Sequence, residues 1–208
     1  TAMLLLLIPT MAINIASMLR GGRWGESLGR YWPLALFVAA GSIAGTRLLI
    51  VTSAEPYKLL MAAVLLGYLN VHRLGRRWQW IRDRRWTAMA VFGLAAGILA
   101  GTVNAAVPAL IIYGLELQLA ATAMVQVFNL CFLAGKLSQA ATFGASGLFT
   151  SHVIAATLPL ALLALGGLGA GMAVRSRFDT RTYRRWLRRV LFLIAIGLLI
   201  QYFWGTLA

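Results

Sequence analysis

The segment from Pro33 to Gly45 reads PLALFVAAGSIAG, and the segment from Pro159 to Gly171 reads PLALLALGGLGAG. The two segments lie 126 positions apart and agree at seven of thirteen positions. Each carries a pair of glycines four residues apart, which is the spacing that lets two helices approach closely within a membrane. The repetition predicts that both halves of the chain follow one plan and that each half uses the same close helix crossing.

The composition around these segments indicates a membrane protein. Of the 208 residues, 61% are hydrophobic and 12% are charged, which is more apolar surface than a soluble domain of this size can bury. A spanning helix needs about 20 apolar residues. Long apolar runs occupy residues 2–19, 31–51, 56–71, 87–113, 119–143, 152–174 and 187–206. The sequence therefore predicts one all-α, multi-pass transmembrane domain over residues 1–208.

The net charge of +14 is concentrated between the apolar runs. Three basic groups contain Arg20, Arg23 and Arg30; Arg73, Arg76, Arg77, Arg82, Arg84 and Arg85; and Arg175, Arg177, Arg181, Arg184, Arg185, Arg188 and Arg189. Short basic loops beside spanning helices mark the cytoplasmic face and meet anionic headgroups. This placement predicts a cytoplasmic face for the basic groups and lipids as partners, and it argues against nucleic-acid binding.

The segment 87–113 is predicted to enter and leave the membrane on one side. If all three basic groups are cytoplasmic, three simple crossings between the second and third groups would put the third outside. Pro108 breaks a helix because it removes a hydrogen bond and clashes with the preceding turn. We expect two half-helices that meet near Asn104. The alternative is a kinked full crossing, with the third basic group departing from the positive-inside tendency.

Further matches between the halves predict an inverted repeat. Thr1-Ala2-Met3 recurs as Thr122-Ala123-Met124, in the same order as the two proline-headed segments. Repeat 1 covers residues 1–75 and repeat 2 covers residues 87–208, with matching runs in opposite directions, a construction common in secondary transporters. Segment 87–118 has no partner in repeat 1, so we expect its counterpart to precede Thr1.

Polar groups embedded in the runs indicate an anion as substrate. No carboxylate falls at membrane depth, whereas cation-driven carriers commonly place one there. The helix that starts at Pro108 would direct its unpaired N–H groups at the break. The predicted substrate-binding residues are Gly101, Thr102, Asn104, Pro108, Asn129, Lys136, Gln139 and Asn14.

Each of these residues also has a structural interpretation. Lys136 lies near enough to the end of its run to extend to the interface. Asn129, like Gln126, is also explained by a hydrogen bond to a neighbouring helix. Asn104 is also explained by a hydrogen bond to backbone groups that lose their helical partners at the break.

Other functions are disfavoured by what the chain contains. Cys131 is the single cysteine and there are two histidines, so neither a metal site nor a cofactor is expected. The tetrad Gly144-Ala145-Ser146-Gly147 is the one that intramembrane serine proteases place around their nucleophile. His152 follows only six residues later and is expected in the same connecting loop, whereas those proteases activate the serine with a histidine on a separate later helix. We therefore do not expect an enzyme.

The segment from Gly93 to Leu115, GLAAGILAGTVNAAVPALIIYGL, resembles the second-repeat motif of the sulfite exporter TauE/SafE family. Gly93, Gly97, Gly101, Pro108 and Tyr113 fall on that motif, and Asn104, Ala106 and Val107 depart from it. The resemblance implies a transporter that moves a small sulfur oxyanion or organosulfonate across the inner membrane. As the mechanism we expect alternating access about a midplane site between the break at 101–108 and the helix at 119–143. The alternative is a non-transporting helical subunit of a membrane assembly; the oligomeric state stays open.

Overall fold

The computed structural model describes residues 2–20, 24–53, 55–70, 80–174, 189–197 and 199–200. Within these ranges the chain is helical, with short connections and no strand. The helices are α1 (Ala2–Leu5), α2 (Leu7–Arg20), α3 (Trp24–Val51), α4 (Glu55–Asn70), α5 (Trp80–Asp83), α6 (Arg85–Val103), α7 (Val107–Glu116), α8 (Ala121–Ala145) and α9 (Ser151–Val174). Residues 189–197 and 199–200 are helical as well.

Four helices in the described ranges are long and apolar enough to cross a membrane. They cover Met3–Arg20, Leu28–Val51, Arg85–Val103 and Ser151–Met172. Helix α8 has 25 residues but is absent from this set, because polar side chains interrupt its apolar sequence. The predicted all-α transmembrane class is confirmed. The helix that covers the predicted run 56–71 has 16 residues and is shorter than a standard span.

Helices α3 and α6 pack together in backbone contact. A Cβ atom placed on Gly101 would lie 2.6 Å from the Ser42 carbonyl oxygen, and one on Gly45 would lie 2.5 Å from the Ile98 carbonyl oxygen. Gly93 lies against Leu34 in the same way, so residues later in α6 contact residues later in α3. The two helices therefore run parallel, and glycine is required on both sides of the crossing.

The second copy of the repeated segment is packed differently. Cβ atoms placed on Gly167 and Gly171 of α9 would meet no described atom within 4 Å. The close crossing is thus found for the first copy, where α3 packs against α6, and the described residues do not show it for the second copy on α9. Helix α9 packs against α2 instead, and α8 packs against both α2 and α3. The inverted repeat stays a prediction.

Two contacts relate the basic groups to one another. The Arg85 Nη2 donates to the Arg30 carbonyl oxygen at 2.8 Å, which joins the first turn of α6 to the early part of α3. The Arg20 Nη1 lies 3.5 Å from the Met172 sulfur, which joins the end of α2 to the end of α9. Since α2 ends just before α3 begins, Arg20, Arg30, Arg85 and the end of α9 lie at one end of the bundle. We call it the basic end.

The helix interruption predicted near Asn104 is present. Helix α6 ends at Val103 and α7 begins at Val107. The Arg82 Nε donates to the Glu116 carbonyl oxygen at 3.0 Å, so the end of α7 lies beside α5, just before α6 starts. Helix α6 has 19 residues, or about 28 Å, so the prediction of two half-helices is wrong for α6. Helix α7 has 10 residues, or about 15 Å. Entry and exit on one side of a membrane stay a prediction.

Candidate functional site

A buried polar face on α8 is the main candidate site. Gln126, Asn129, Lys136 and Gln139 are 3%, 8%, 6% and 1% exposed. Their spacings of three and seven residues place them along one side of the helix. They are buried because α8 packs between α3 and α2. We call these four residues the α8 polar face.

Lys136 and Gln139 are brought together on this face. The Lys136 Nζ donates to the Gln139 Oε1 at 2.7 Å, and both side chains are buried. Lys136 lies nine residues before α8 ends, about 13 Å along the axis. The structure therefore favours the interior position over extension to the interface. The partner of this ammonium group is a neutral amide.

The α8 polar face also carries amide groups without partners. Among the described residues, no hydrogen bond reaches the Gln126 Nε2 and Oε1, the Asn129 Nδ2 or the Gln139 Nε2. A buried polar atom left unpaired costs about 1–3 kcal/mol. The helix-to-helix hydrogen bonds considered for Gln126 and Asn129 are not found at these amide nitrogens. The face instead offers buried donors that suit a polar ligand.

A junction of three helices lies next to Lys136. The Ser42 Oγ of α3 donates to the Gly135 carbonyl oxygen of α8 at 2.8 Å. A Cβ atom on Gly135 would lie 3.3 Å from Val38 of α3 and 4.0 Å from Ala100 of α6. The hydroxyl thus fixes α8 against the α3–α6 pair one residue before the lysine.

Sequence analysis overlooked the two hydroxyl residues on this side of α3. Ser42 and Thr46 are fully buried, and the Thr46 Oγ1 has no described partner. Both residues directly follow the glycines of the close crossing, Gly41 and Gly45. That spacing of four was the available signal, but we interpreted it only as packing.

Asn104 determines the shape of the break. It is exposed and adopts a left-handed conformation with φ of 57°, directly after the last residue of α6. Its backbone N–H and that of Ala105 both bond the Leu99 carbonyl oxygen, the latter at 3.1 Å, as in helix ends of the Schellman type. Asparagine tolerates this conformation better than most residues. The structure favours the backbone role left open for Asn104.

The other predicted binding residues have separate positions. The Thr102 Oγ1 donates to the Ile98 carbonyl oxygen of its own helix at 2.7 Å, and Gly101 packs against α3. Pro108 lies in the first turn of α7. Asn14 is buried on α2, a helix that packs against α8 and α9. In the described chain, no hydrogen bond joins these residues to the α8 polar face.

The serine tetrad lies at the end of α8. The Ser146 Oγ donates to the Thr142 carbonyl oxygen at 3.0 Å. His152 is exposed in the first turn of α9, so the expectation that it lies in the connecting loop is wrong, because α9 begins at Ser151. Cys131 is buried as a free thiol. Within the described part of the chain, no three His, Cys, Asp or Glu side chains are grouped so that they could hold a metal ion.

Several apolar helices of spanning length indicate a polytopic membrane protein, and a buried polar face with an interrupted helix is typical of membrane transporters. The family model for the sulfite exporter TauE/SafE matches residues 1–198, and the chain belongs to that family. The resemblance inferred from the segment between Gly93 and Leu115 is thereby confirmed. No curated protein and no solved structure matches the chain.

Proposed function

We propose that the protein carries a small sulfur oxyanion or organosulfonate across the inner membrane and that Lys136 binds it. The observation that carries the proposal is the buried ammonium group of Lys136, bonded to the neutral amide of Gln139. Family membership supports transport, and this site supports an anion as the substrate.

The charge of Lys136 requires compensation. Burying an ion costs several kcal/mol unless an opposite charge and hydrogen bonds offset the loss of water. The five acidic residues of the chain are Glu26, Glu55, Asp83, Glu116 and Asp179, and none belongs to α8. One lysine N–H is used by Gln139, which leaves two for a ligand. A bound anion would supply both the countercharge and the missing acceptors.

The unpaired amides suit a small oxyanion. Because the Gln139 Oε1 accepts from Lys136, its unpaired Nε2 remains as a donor beside the charge. Asn129 lies seven residues earlier on α8, about 10 Å along the axis, which is beyond the reach of the same small ion. We therefore assign binding to Lys136 and Gln139, and passage along the helix to Gln126 and Asn129.

Alternating access would move other helices past this face. The close contact of α3 with α6 makes that pair a rigid unit, and the hydrogen bond from Ser42 holds α8 to it. The α6–α7 connection turns at a single left-handed residue, Asn104, and a hinge needs few residues to absorb a change in direction. We assign the moving part to α7 and the fixed part to the α3–α6–α8 unit.

Tracer flux in proteoliposomes that contain the full-length protein tests this function. Radiolabelled sulfite, sulfate, thiosulfate and taurine are offered to the wild type, to Lys136→Gln and to Ser138→Ala. Ser138 is the matched control because its hydroxyl bonds the Ala134 carbonyl oxygen of its own helix. A hydrogen bond to a charged group contributes about 1.5–3 kcal/mol, so Lys136→Gln should weaken apparent affinity about tenfold or more.

Two outcomes would contradict the proposal. Flux of none of these anions by the wild type would favour the non-transporting subunit considered from the sequence. Equal apparent affinity in Lys136→Gln and Ser138→Ala would remove the lysine from the substrate pathway.

A further inference from the structure

A cleft opens between α3 and α6 at the basic end, away from the α8 polar face. It has a volume of about 340 Å³ and is lined by Gly29, Arg30, Trp32, Pro33, Arg85, Trp86 and Met89. The charged residues in this lining are the two arginines. The cleft is therefore a positively charged hollow with apolar walls.

The two arginines are held around one aromatic ring. The Arg30 Cζ lies 5.9 Å and the Arg85 Cζ 5.5 Å from the centroid of the Tyr31 ring. The Arg85 Nη2 also bonds the Arg30 carbonyl oxygen at 2.8 Å. Tyr31 is buried, so it provides a fixed support for both guanidinium groups. Both arginines also line the cleft, so it favours an anion that neutralises their charge.

The position of the cleft specifies the kind of anion. Trp32 and Trp86 are 51% and 66% exposed and belong to the lining. Tryptophan is enriched at the level of lipid headgroups, where its ring meets the acyl chains and its N–H meets polar groups. Arginine binds phosphate through two parallel hydrogen bonds. The lining thus combines phosphate donors with an apolar surface for acyl chains.

We propose that this cleft binds the headgroup phosphate of an anionic phospholipid, with Arg30 and Arg85 as its donors and the two tryptophans against its acyl chains. Basic hollows between spanning helices on the cytoplasmic side favour such headgroups. The lipid bridges the early part of α3 and the start of α6, so it stabilises the helix pair that supports the α8 polar face. The site does not depend on the identity of the transported solute.

Native mass spectrometry of the full-length protein tests the proposal. The wild type is exchanged into detergent with phosphatidylglycerol or with phosphatidylcholine, and retained lipid is counted. The test variants are Arg30→Gln and the double variant Arg30→Gln/Arg85→Gln. The matched control is Arg47→Gln, which removes an exposed arginine near the other end of α3.

The expected result is preferential retention of phosphatidylglycerol by the wild type and by Arg47→Gln. Each arginine near an anionic headgroup contributes about a fivefold change in affinity, so retention should fall about fivefold in Arg30→Gln and further in the double variant. Retention that is unchanged in the double variant, or that is equal for both lipids, would overturn the proposal.

A third arm separates lipid from soluble phosphate. Thermal stability of the lipid-depleted protein is measured with inorganic phosphate, with glycerol 3-phosphate and with phosphatidylglycerol. We expect stabilisation by the lipid alone, and its loss in Arg30→Gln. Equal stabilisation by a soluble phosphate would overturn the lipid assignment in favour of a soluble-anion site.

Discussion

The close contact between α3 and α6 is tested by the substitution Gly97→Ala. A methyl group on Gly97 would overlap the Val38 carbonyl oxygen and lie 2.7 Å from the Ser42 nitrogen and 2.9 Å from the Gly41 carbonyl carbon. All three atoms belong to the backbone of α3, so no side-chain rotation can relieve the overlap. The two helices must move apart.

The magnitude follows from two opposing effects. Overpacking a well-packed interior costs about 1–3 kcal/mol. Alanine is better than glycine within a helix by about 1 kcal/mol, which offsets part of that cost. We expect a net loss of about 1–2 kcal/mol in the free energy of unfolding. For a chain of this size, that corresponds to a fall of roughly 2–8 °C in Tm.

Thermal unfolding of the purified protein measures this change, with Gly167→Ala as the matched control. A Cβ atom on Gly167 would meet no described atom within 4 Å, although the residue occupies the position in the second proline-headed segment that Gly41 occupies in the first. We expect Gly167→Ala to retain the wild-type Tm or to exceed it. If Gly97→Ala is as stable as Gly167→Ala, the close α3–α6 contact is refuted.

The connection after α6 leads to three further predictions. Asn104→Val should lower the free energy of unfolding by about 1–2 kcal/mol, because a β-branched residue is strained in the left-handed conformation, whereas Asn104→Gly should retain wild-type stability in the same thermal assay. If α6 and α7 enter and leave the membrane on one side, Arg84→Cys before α6 and Ala120→Cys after α7 should react with an impermeant maleimide from the same side of sealed vesicles. Ser53→Cys, after α3, should react from the opposite side. Labelling of Arg84→Cys and Ala120→Cys from opposite sides would show a full crossing. Native Cys131 is buried and should react only after unfolding, and rapid labelling of the folded wild type would contradict its burial.

The sequence predicted those features of the fold that depend on local chemistry. Pro108 and Asn104 indicated a break in the helix, and in the structure α6 ends directly before Asn104. The break was predicted at the right residue, but the description of α6 as a half-helix was wrong, because the segment from residue 87 to Asn104 is already nearly long enough to span the hydrocarbon core. Proline fits the first turn of a helix, so Pro108 indicates a helix start nearby, but it does not show how far the preceding helix extends. Proline alone is not decisive, because Pro33 and Pro159 lie inside α3 and α9.

The candidate site could be predicted only in part. Lys136 and Gln139 are three residues apart on one helix, so their pairing follows from helical spacing. The choice between burial and extension to the interface depends on neighbouring helices, which spacing along α8 does not reveal. The contact of Ser42 with Gly135 joins residues 93 positions apart, and that of Arg85 with Arg30 joins residues 55 apart. Such contacts depend on how distant helices pack.

The most direct test of the central claim, that a small anion provides the countercharge for Lys136, is equilibrium binding of radiolabelled sulfite to the purified full-length protein. The wild type is compared with Lys136→Gln and with Ser138→Ala at equal ionic strength. The account predicts saturable binding to the wild type and to Ser138→Ala, with affinity at least tenfold weaker in Lys136→Gln. Saturable binding of equal affinity in all three proteins would contradict it.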